Sequence, residues 1–238
     1  MSDGAGRLAG RISLITGASR GIGAAVARRF AAEGSHVILV ARTVGGLEEA
    51  DDAIRTGGGI ATLMPMDLTE FEKIDRMGAA VAERCGRLDV LVGNAGILGT
   101  LSPMGHIEPQ AWDQVIAINL TANWRLIRSL DPLLRASGSG RAIFVTSGAA
   151  DGVHPYWGAY AVSKAALEAM VRTWAGEVTK TPLKVNLVDP GALRTRMRAE
   201  AYPGEDPMTL EPPEAMTDVF VELAESACTR HGEVVRAY

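Results

Sequence analysis

The sequence has few cysteines and no long apolar run. Its 238 residues include only two cysteines, Cys85 and Cys228, which lie far apart and outside any CxxC spacing. A disulfide framework is therefore excluded as the basis of the fold. The longest unbroken apolar run covers residues 37–41, whereas a membrane-spanning helix needs roughly 18 apolar residues. Because no apolar leader segment is present either, we expect a cytoplasmic protein that does not enter a membrane.

Basic blocks and metal-ligand clusters are also missing. The chain has 24 Lys and Arg against 28 Asp and Glu, a net charge of −4, so nucleic acid is not expected as its partner. Its four histidines are isolated, and no metal site is predicted. Glycine, in contrast, is abundant at 27 residues, concentrated in short loops without a collagen-like period.

Short apolar runs alternate with segments of helical periodicity. The runs cover residues 12–16, 37–41, 60–66, 88–92, 142–146 and 185–188, and a last run at 233–235 predicts a short edge strand. Near-continuous rather than alternating apolar runs are typical of strands covered on both faces. Their repeated alternation with helices predicts an α/β fold, namely a single doubly wound (Rossmann) parallel sheet with helices on both faces.

The chain is expected to form one domain. Residues 1–10 are small and polar and predict a flexible N-terminal lead-in, so that the Rossmann-fold domain covers residues 11–238. Residues 201–213 are rich in proline and acidic side chains, which indicates a loop. We expect a substrate loop over about residues 192–213.

A glycine-rich loop follows the first strand. Gly17, Gly21 and Gly23 lie between the apolar run 12–16 and the helical run 24–30. A strand that turns tightly into a helix presents free N–H groups and the positive end of the helix dipole, which favour a phosphate. The alternative is that the glycines only serve a turn, since the motif alone is weakly specific.

The end of the second strand points to NADP(H). In doubly wound folds, a carboxylate there binds the ribose of NAD, whereas an arginine accommodates the 2′-phosphate of NADP. Here the second strand ends at Arg42 with no acidic residue beside it, and Arg20 in the glycine loop is a second candidate for the same phosphate. Otherwise both arginines are ordinary solvated side chains.

A tyrosine and a lysine four residues apart predict acid–base chemistry. Tyr160 and Lys164 share one helix face at this spacing. A neighbouring ammonium favours the phenolate, so we expect Lys164 to lower the pKa of Tyr160 towards neutrality. Ser147 follows a strand, where its hydroxyl can hold a carbonyl. Asn119 lies on the inner face of a helical pattern at 112–134, either as a satisfied core amide or as part of a water relay to Lys164.

In this order the motifs resemble the short-chain dehydrogenase/reductase family over about residues 8–235. The catalytic tetrad that the resemblance implies is Asn119, Ser147, Tyr160 and Lys164. The cofactor-binding residues are expected to be Gly17, Ser19, Arg20, Gly21, Ile22, Gly23, Arg42, Asp67, Leu68, Asn94, Ala95, Gly96, Tyr160, Lys164, Pro190, Gly191, Leu193 and Thr195. No metal is implied.

The resemblance implies hydride transfer between NADP(H) and a carbonyl or secondary alcohol. Tyr160 would exchange the proton, Ser147 would orient the carbonyl, Lys164 would also bind the nicotinamide ribose, and Asn119 would support a water chain. Within the family, residues 157–160, 194–198 and 205–207 resemble bacterial oxidoreductases and 3-oxoacyl-acyl-carrier-protein reductase-like members. That match names no substrate.

Two departures from the family pattern carry expectations of their own. Gly93 stands where the family has the first asparagine of its Asn-Asn-Ala-Gly motif, which is expected to loosen the central sheet. The sequence ends at Tyr238 without the family's glycine-rich tail. The resemblance implies a homodimer or homotetramer, and the missing tail bears on which of the two forms.

Two other functions stay open beside the reductase. One is a non-catalytic NADP(H)-binding redox sensor, which would have no need of the Tyr160 acid. The other is a sugar-nucleotide epimerase or dehydratase, which normally has a larger C-terminal substrate domain. Apolar residues near the expected pocket are compatible with an apolar group beside the carbonyl or with packing inside the protein; these are Leu98, Leu101, Met104, Val153 and Trp157. Three arginines in the substrate loop, Arg194, Arg196 and Arg198, are expected to be solvated rather than to bind an acidic substrate.

Overall fold

A computed structural model describes residues 6–238 and shows one parallel sheet. Its strands are Ile12–Thr16 (β1), His36–Ala41 (β2), Ile60–Pro65 (β3), Val90–Gly93 (β4), Arg141–Val145 (β5), Lys184–Asp189 (β6) and Val234–Arg236 (β7). They are hydrogen-bonded in the order β3-β2-β1-β4-β5-β6-β7, and every pairing is parallel. This confirms the doubly wound sheet.

Helices cover both faces of the sheet. They are Gly21–Ala32 (α1), Val44–Thr56 (α2), Phe71–Cys85 (α3), Pro109–Ile116 (α4), Ala122–Ala136 (α5), Gly158–Glu177 (α6), Arg196–Ala201 (α7) and Thr217–Ala224 (α8). One apolar core joins the sheet to α1, α2 and α8, and a second joins its other face to α3, α5 and α6. Because both faces are buried, the central strands are apolar at nearly every position.

The helical pattern at 112–134 is not one continuous α-helix. A π-helical turn over Ala117–Thr121 separates α4 from α5, and the N–H of Ala122 donates to the carbonyl of Ala117. The extra residue shifts the helix face at that point, and the fully buried Asn119 lies within this turn. Periodicity alone does not reveal a single inserted residue, because the apolar positions on either side keep helical spacing.

Part of the expected flexible lead-in is packed against the domain. Leu8 is fully buried in the core beside α1, and its N–H donates a 2.9 Å hydrogen bond to the carbonyl of Glu33. Residues 6–10 therefore form an anchored turn rather than a loose segment, because Leu8 supplies an apolar side chain that fills the core. Residues 1–5 lie outside the described residues.

Gly93 does not leave a gap in the central strand β4. A side chain at this position would overlap the ring of Phe144 on β5, and its Cβ would lie 2.8 Å from Oδ1 of Asn123. The Phe144 ring thus occupies the volume that a larger residue at position 93 would fill. The expectation of a loosened sheet is wrong, since all four residues of β4 are buried.

The strand order reverses between β1 and β4. Chain connections run outward in opposite directions from these two neighbouring strands, which opens a crevice at their carboxyl ends. The segments that follow β1, β4, β5 and β6 carry the residues that the sequence singles out for binding and chemistry.

Candidate active site

The glycine loop after β1 forms a tight turn that its neighbours hold in place. Gly17 has a φ of +66°, and a side chain at Gly23 would overlap the carbonyl oxygen of Gly17, so the turn is closed too tightly for other residues. The Nδ2 of Asn94 donates a 2.8 Å hydrogen bond to the carbonyl of Thr16. Asn94 therefore fixes the loop from the segment that follows the neighbouring parallel strand β4.

Thr16 ties the loop to the segment after β4. Its buried hydroxyl oxygen accepts hydrogen bonds from the N–H groups of Asn94 and Ala95, both at 3.0 Å. This places Gly96 beside the second group of candidate residues, because a Cβ on Gly96 would lie 3.3 Å from Oδ1 of Asn119 and 3.6 Å from Nζ of Lys164. The cofactor loop and the candidate catalytic residues thus border the same crevice.

The start of α1 suits a phosphate. Arg20 is the N-cap with an extended backbone, no side chain caps the helix, and its first turn has no acidic residue. The first N–H groups of a helix have no partner within the helix itself. The space over Gly21 is open as far as the methyl group of Thr195, which lies 3.8 Å from a Cβ built there. These features fit the diphosphate of a dinucleotide.

Arg42 and Asp67 lie together at the ends of β2 and β3. Nη1 of Arg42 is 3.6 Å from Oδ2 of Asp67, and 73% of the Arg42 side chain is exposed. Oδ1 of Asp67 accepts hydrogen bonds from the N–H and hydroxyl of Thr69, at 2.9 and 2.8 Å. These bonds, chiefly the one from the N–H, lower the pKa of Asp67, with a further contribution from Arg42. The guanidinium is left accessible to a phosphate.

The remaining predicted cofactor residues fall into two groups. Leu68 and Leu193 are buried in the two cores, and Ile22 packs against one of them. Arg20 and Ser19 line a cavity of about 350 Å³ together with Arg194, while Arg42 is not part of its lining. The side chains of the two leucines therefore pack in the cores and do not face the crevice.

Tyr160 and Lys164 lie on α6 and are buried, with 7% and 4% of their surfaces exposed. Nζ of Lys164 is 5.7 Å from the centre of the Tyr160 ring and donates a 2.7 Å hydrogen bond to the carbonyl of Val145. Burial lowers the pKa of Lys164 to about 8. With this pKa the amine is still mostly charged at pH 7.

The pKa of Tyr160 is raised, which corrects the direction that the sequence predicts. Burial of the phenol is the main cause; the nearby Ser147 hydroxyl acts in the opposite direction, and the charge of Asp189 raises the pKa further. The expectation is wrong because it weighed the neighbouring ammonium without the burial of the phenol itself. Burial disfavours the phenolate more than this side-chain arrangement stabilises it.

Asn119 is a satisfied core amide. Its Oδ1 accepts from the N–H of Ile97, and its Nδ2 donates to the carbonyl of Ile97 and to the hydroxyl of Ser163, at 2.9, 2.9 and 3.0 Å. Its main-chain carbonyl accepts a 2.8 Å hydrogen bond from Nδ2 of Asn123. The side chain therefore joins the loop after β4 to α6, and Ser163 is a partner that the sequence reasoning missed.

Two further residues that meet at the end of β6, Asp189 and Tyr238, were also missed. The buried carboxylate of Asp189 accepts from the N–H of Gly191 at 3.1 Å and from the hydroxyl of Tyr238 at 3.2 Å. Gly191 has a φ of +69°, and a Cβ there would lie 2.7 Å from the Tyr238 ring. The polar residue directly before Pro190 was the available signal for Asp189, whereas the contact with Tyr238 depends on the fold.

The chain belongs to the short chain dehydrogenase family. That family's model matches residues 11–206. The Escherichia coli K12 oxidoreductase YciK is 36% identical over 216 residues, which cover 90% of this chain and 85% of that protein. The fold and the crevice thus agree with the family that the motifs indicate.

Solved structures of relatives superimpose on nearly the whole chain. A short chain dehydrogenase from Salmonella enterica serovar Typhi has a TM-score of 0.94 and 34% identity, with coverage of 100% of this chain and 99% of that chain. An Escherichia coli CFT073 relative, solved in complex with NADPH, also has a TM-score of 0.94 and 34% identity, with 99% of both chains covered. The chain therefore shares the oxidoreductase fold over its full described length.

Residues 6–238 contain neither a metal-binding cluster nor a helix suited to cross a membrane. Across residues 6–238, no group of three or more His, Cys, Asp or Glu side chains is arranged to hold a metal ion. None of the helices in that range combines the length and apolar character needed to cross a bilayer.

Proposed function

We propose that this chain is an NADP(H)-dependent oxidoreductase that interconverts a carbonyl and a secondary alcohol. The observation that carries the proposal is the burial of Tyr160 and Lys164 together on one face of α6, next to Ser147 and the crevice. A phenol shielded from water, with a hydroxyl and an amine beside it, is suited to exchange a proton with a carbonyl oxygen.

Some residues of the crevice would bind the coenzyme, and others would transfer a proton. The N–H groups at the start of α1 and the guanidinium of Arg42 would hold the phosphates, and Asp67 the adenine. When bound, the reduced nicotinamide supplies the hydride. Asp189 and Tyr238 hold Gly191 in the loop expected beside that ring.

Tyr160 would donate its phenolic proton to the carbonyl oxygen while Ser147 orients that oxygen. The raised pKa of Tyr160 keeps the phenol protonated at neutral pH, which suits reduction. Lys164, mostly charged at pH 7, would stabilise the phenolate left by proton transfer and would hold the nicotinamide ribose. Asn119 keeps the loop after β4 against α6, so that these groups stay in place.

The test is NADPH consumption with a panel of ketones and aldehydes, for the wild type and for Tyr160→Phe. The variant keeps the ring and its packing but has no proton to donate, so we expect its kcat to fall at least about a hundredfold. Its NADPH affinity, measured by fluorescence titration, should be unchanged. Cofactor binding by the wild type without any turnover would instead identify a redox sensor.

Assembly and location are part of the same proposal. Two large apolar side chains are exposed on the outer faces of neighbouring helices, Trp124 on α5 and Val162 on α6. We propose that these helices form the interface of a homodimer or homotetramer, which light scattering of Trp124→Glu against the wild type would test. Both cysteines are free, which is compatible with a reducing cytoplasm.

A further inference from the structure

Residues 193–211 form a segment that we name the lid. Its hydrogen bonds and ion pairs join residues of the lid to one another. Its ends are joined by a bridge between Leu193 and Glu211, where the N–H of Arg194 donates to the carbonyl of Glu211 at 2.8 Å. Within residues 6–238, every hydrogen bond and ion pair of the lid has both partners inside it. No polar contact thus ties the lid to the rest of the described chain.

The lid rests on the site through apolar contacts. Met197 and Ala201 pack against the cluster that contains Leu98 and Tyr160. The ring of Tyr202 is 5.9 Å from that of Trp157, which in turn meets the Tyr160 ring edge-on at 5.8 Å. This apolar underside lies beside the Tyr160 ring, so a substrate that reaches Tyr160 contacts it.

Arg198 fixes the shape of the underside. Its Nε and Nη2 donate to the two carboxylate oxygens of Glu205 at 2.6 and 2.7 Å, and its guanidinium carbon lies 3.8 Å from the centre of the Tyr202 ring. A paired, stacked guanidinium has little rotational freedom. Arg198 therefore holds Tyr202 in its position against Trp157.

The arginines of the lid are not free for an anionic substrate. Arg198 is occupied by Glu205, and Arg196 pairs with Glu200 at 2.8 Å on the outside of α7. Arg194 contacts Sδ of Met208 and lines the separate cavity beside Arg20. A carboxylate or a sugar placed beneath the lid would lose water without gaining an arginine of the lid as its partner.

We propose that the lid selects carbonyl substrates that carry an apolar ring or alkyl chain, and that Arg198 is the positioning residue that presents its apolar underside. The inference rests on the proposed function and names the substrate class of the same site. An apolar substituent replaces the contact of Tyr202 with Trp157 and leaves the internal hydrogen bonds of the lid intact. Each methylene that moves from water to this surface should lower KM about threefold to fourfold.

The experiment compares the 2-alkanones from 2-butanone to 2-octanone with NADPH. For the wild type, KM should fall along the series while kcat changes little. Arg198→Gln should flatten this dependence and leave the KM for NADPH unchanged, whereas Arg198→Lys, which keeps the charge and the stem, should restore part of it. The matched control is Arg196→Gln, which breaks the exposed ion pair of the same helix and should behave as the wild type.

A second measurement does not depend on turnover. Amide hydrogen exchange of the free protein should be faster at residues 196–202 in Arg198→Gln and unchanged in Arg196→Gln, because only the first variant releases Tyr202. A wild-type KM that is independent of chain length, or a lower KM for a 2-oxo acid than for the alkanone of equal length, would overturn the inference alone. No turnover of any carbonyl would overturn the proposed function and, with it, the substrate class.

Discussion

The ammonium of Lys164 donates a 2.7 Å hydrogen bond to the carbonyl of Val145, at the carboxyl end of β5. This bond directs the amine towards the sheet edge, and no acidic group contributes to its pKa, which burial lowers to about 8. The lysine is therefore a buried cation held by a main-chain dipole, with its Nζ 5.7 Å from the centre of the Tyr160 ring.

Lys164 should make folding stability depend on pH between about 8 and 10.5. In that range the unfolded chain keeps the lysine proton while the folded chain releases it, so this group's contribution to the free energy of unfolding rises with pH. The full difference is on the order of 3 kcal/mol. Urea denaturation at pH 7.5 and pH 10 measures it, with Lys164→Met as the reference in which this contribution is absent. Parallel changes in both proteins would contradict the assignment.

Asp189→Asn should lower the pKa of Tyr160. The asparagine keeps an oxygen for the N–H of Gly191 but removes the negative charge that raises the pKa of the phenol. Reduction needs the protonated phenol, so its rate should decline at a lower pH than in the wild type. The measurement is the pH profile of kcat/KM for ketone reduction.

Tyr238→Phe is the control for that profile. It removes the hydroxyl that donates to Asp189 at 3.2 Å but leaves the carboxylate charge in place. The pH profile of kcat/KM for Tyr238→Phe should match that of the wild type. A shift of equal size in both variants would assign the effect to loop geometry rather than to charge.

Arg42→Ala should weaken the binding of NADPH and leave the binding of NADH nearly unchanged. One charge-assisted hydrogen bond to a phosphate contributes about 1.5–3 kcal/mol, which corresponds to a roughly tenfold to hundredfold rise in the KM for NADPH. The control is Arg55→Ala on α2, where the arginine pairs with Asp51 at 2.8 Å. An equal rise in the KM for both coenzymes in Arg42→Ala would contradict the assignment of NADP(H).

Gly93→Ala should destabilise the protein. Its Cβ would lie 2.6 Å from Cε1 of Phe144, so the ring must move within a packed core, at a cost of about 1–3 kcal/mol. Phe144→Leu in the same chain should recover part of the loss. Gly176→Ala on α6, which meets nothing within 4 Å, should instead be neutral or stabilising. Thermal denaturation compares the four proteins.

The sequence was most informative where one local rule determines the structure. The apolar run at 12–16 gives the bounds of β1 as the structure has them. The juxtaposition of Tyr160 and Lys164 follows from their spacing on a helix, and the structure brings Gly96 and Asn119 to the same place.

What the sequence could not supply depends on contacts between distant segments. The acceptor of Lys164 is a main-chain carbonyl, which has no residue signature. The direction of the Tyr160 pKa shift depends on burial of the phenol in a cluster against which Met197 and Ala201, some forty residues further along the chain, also pack. The ring that occupies the space beside Gly93 belongs to Phe144 on β5. The glycine by itself therefore does not show that this space is filled.

The lid's internal hydrogen bonding has a consequence for how this protein can diversify. Because, among residues 6–238, the sheet and the crevice make no polar contact with residues 193–211, that segment can change its length or its side chains without exposing unpaired groups in the body. New molecular preferences can thus arise by drift in one short stretch while the residues proposed for proton transfer stay unchanged.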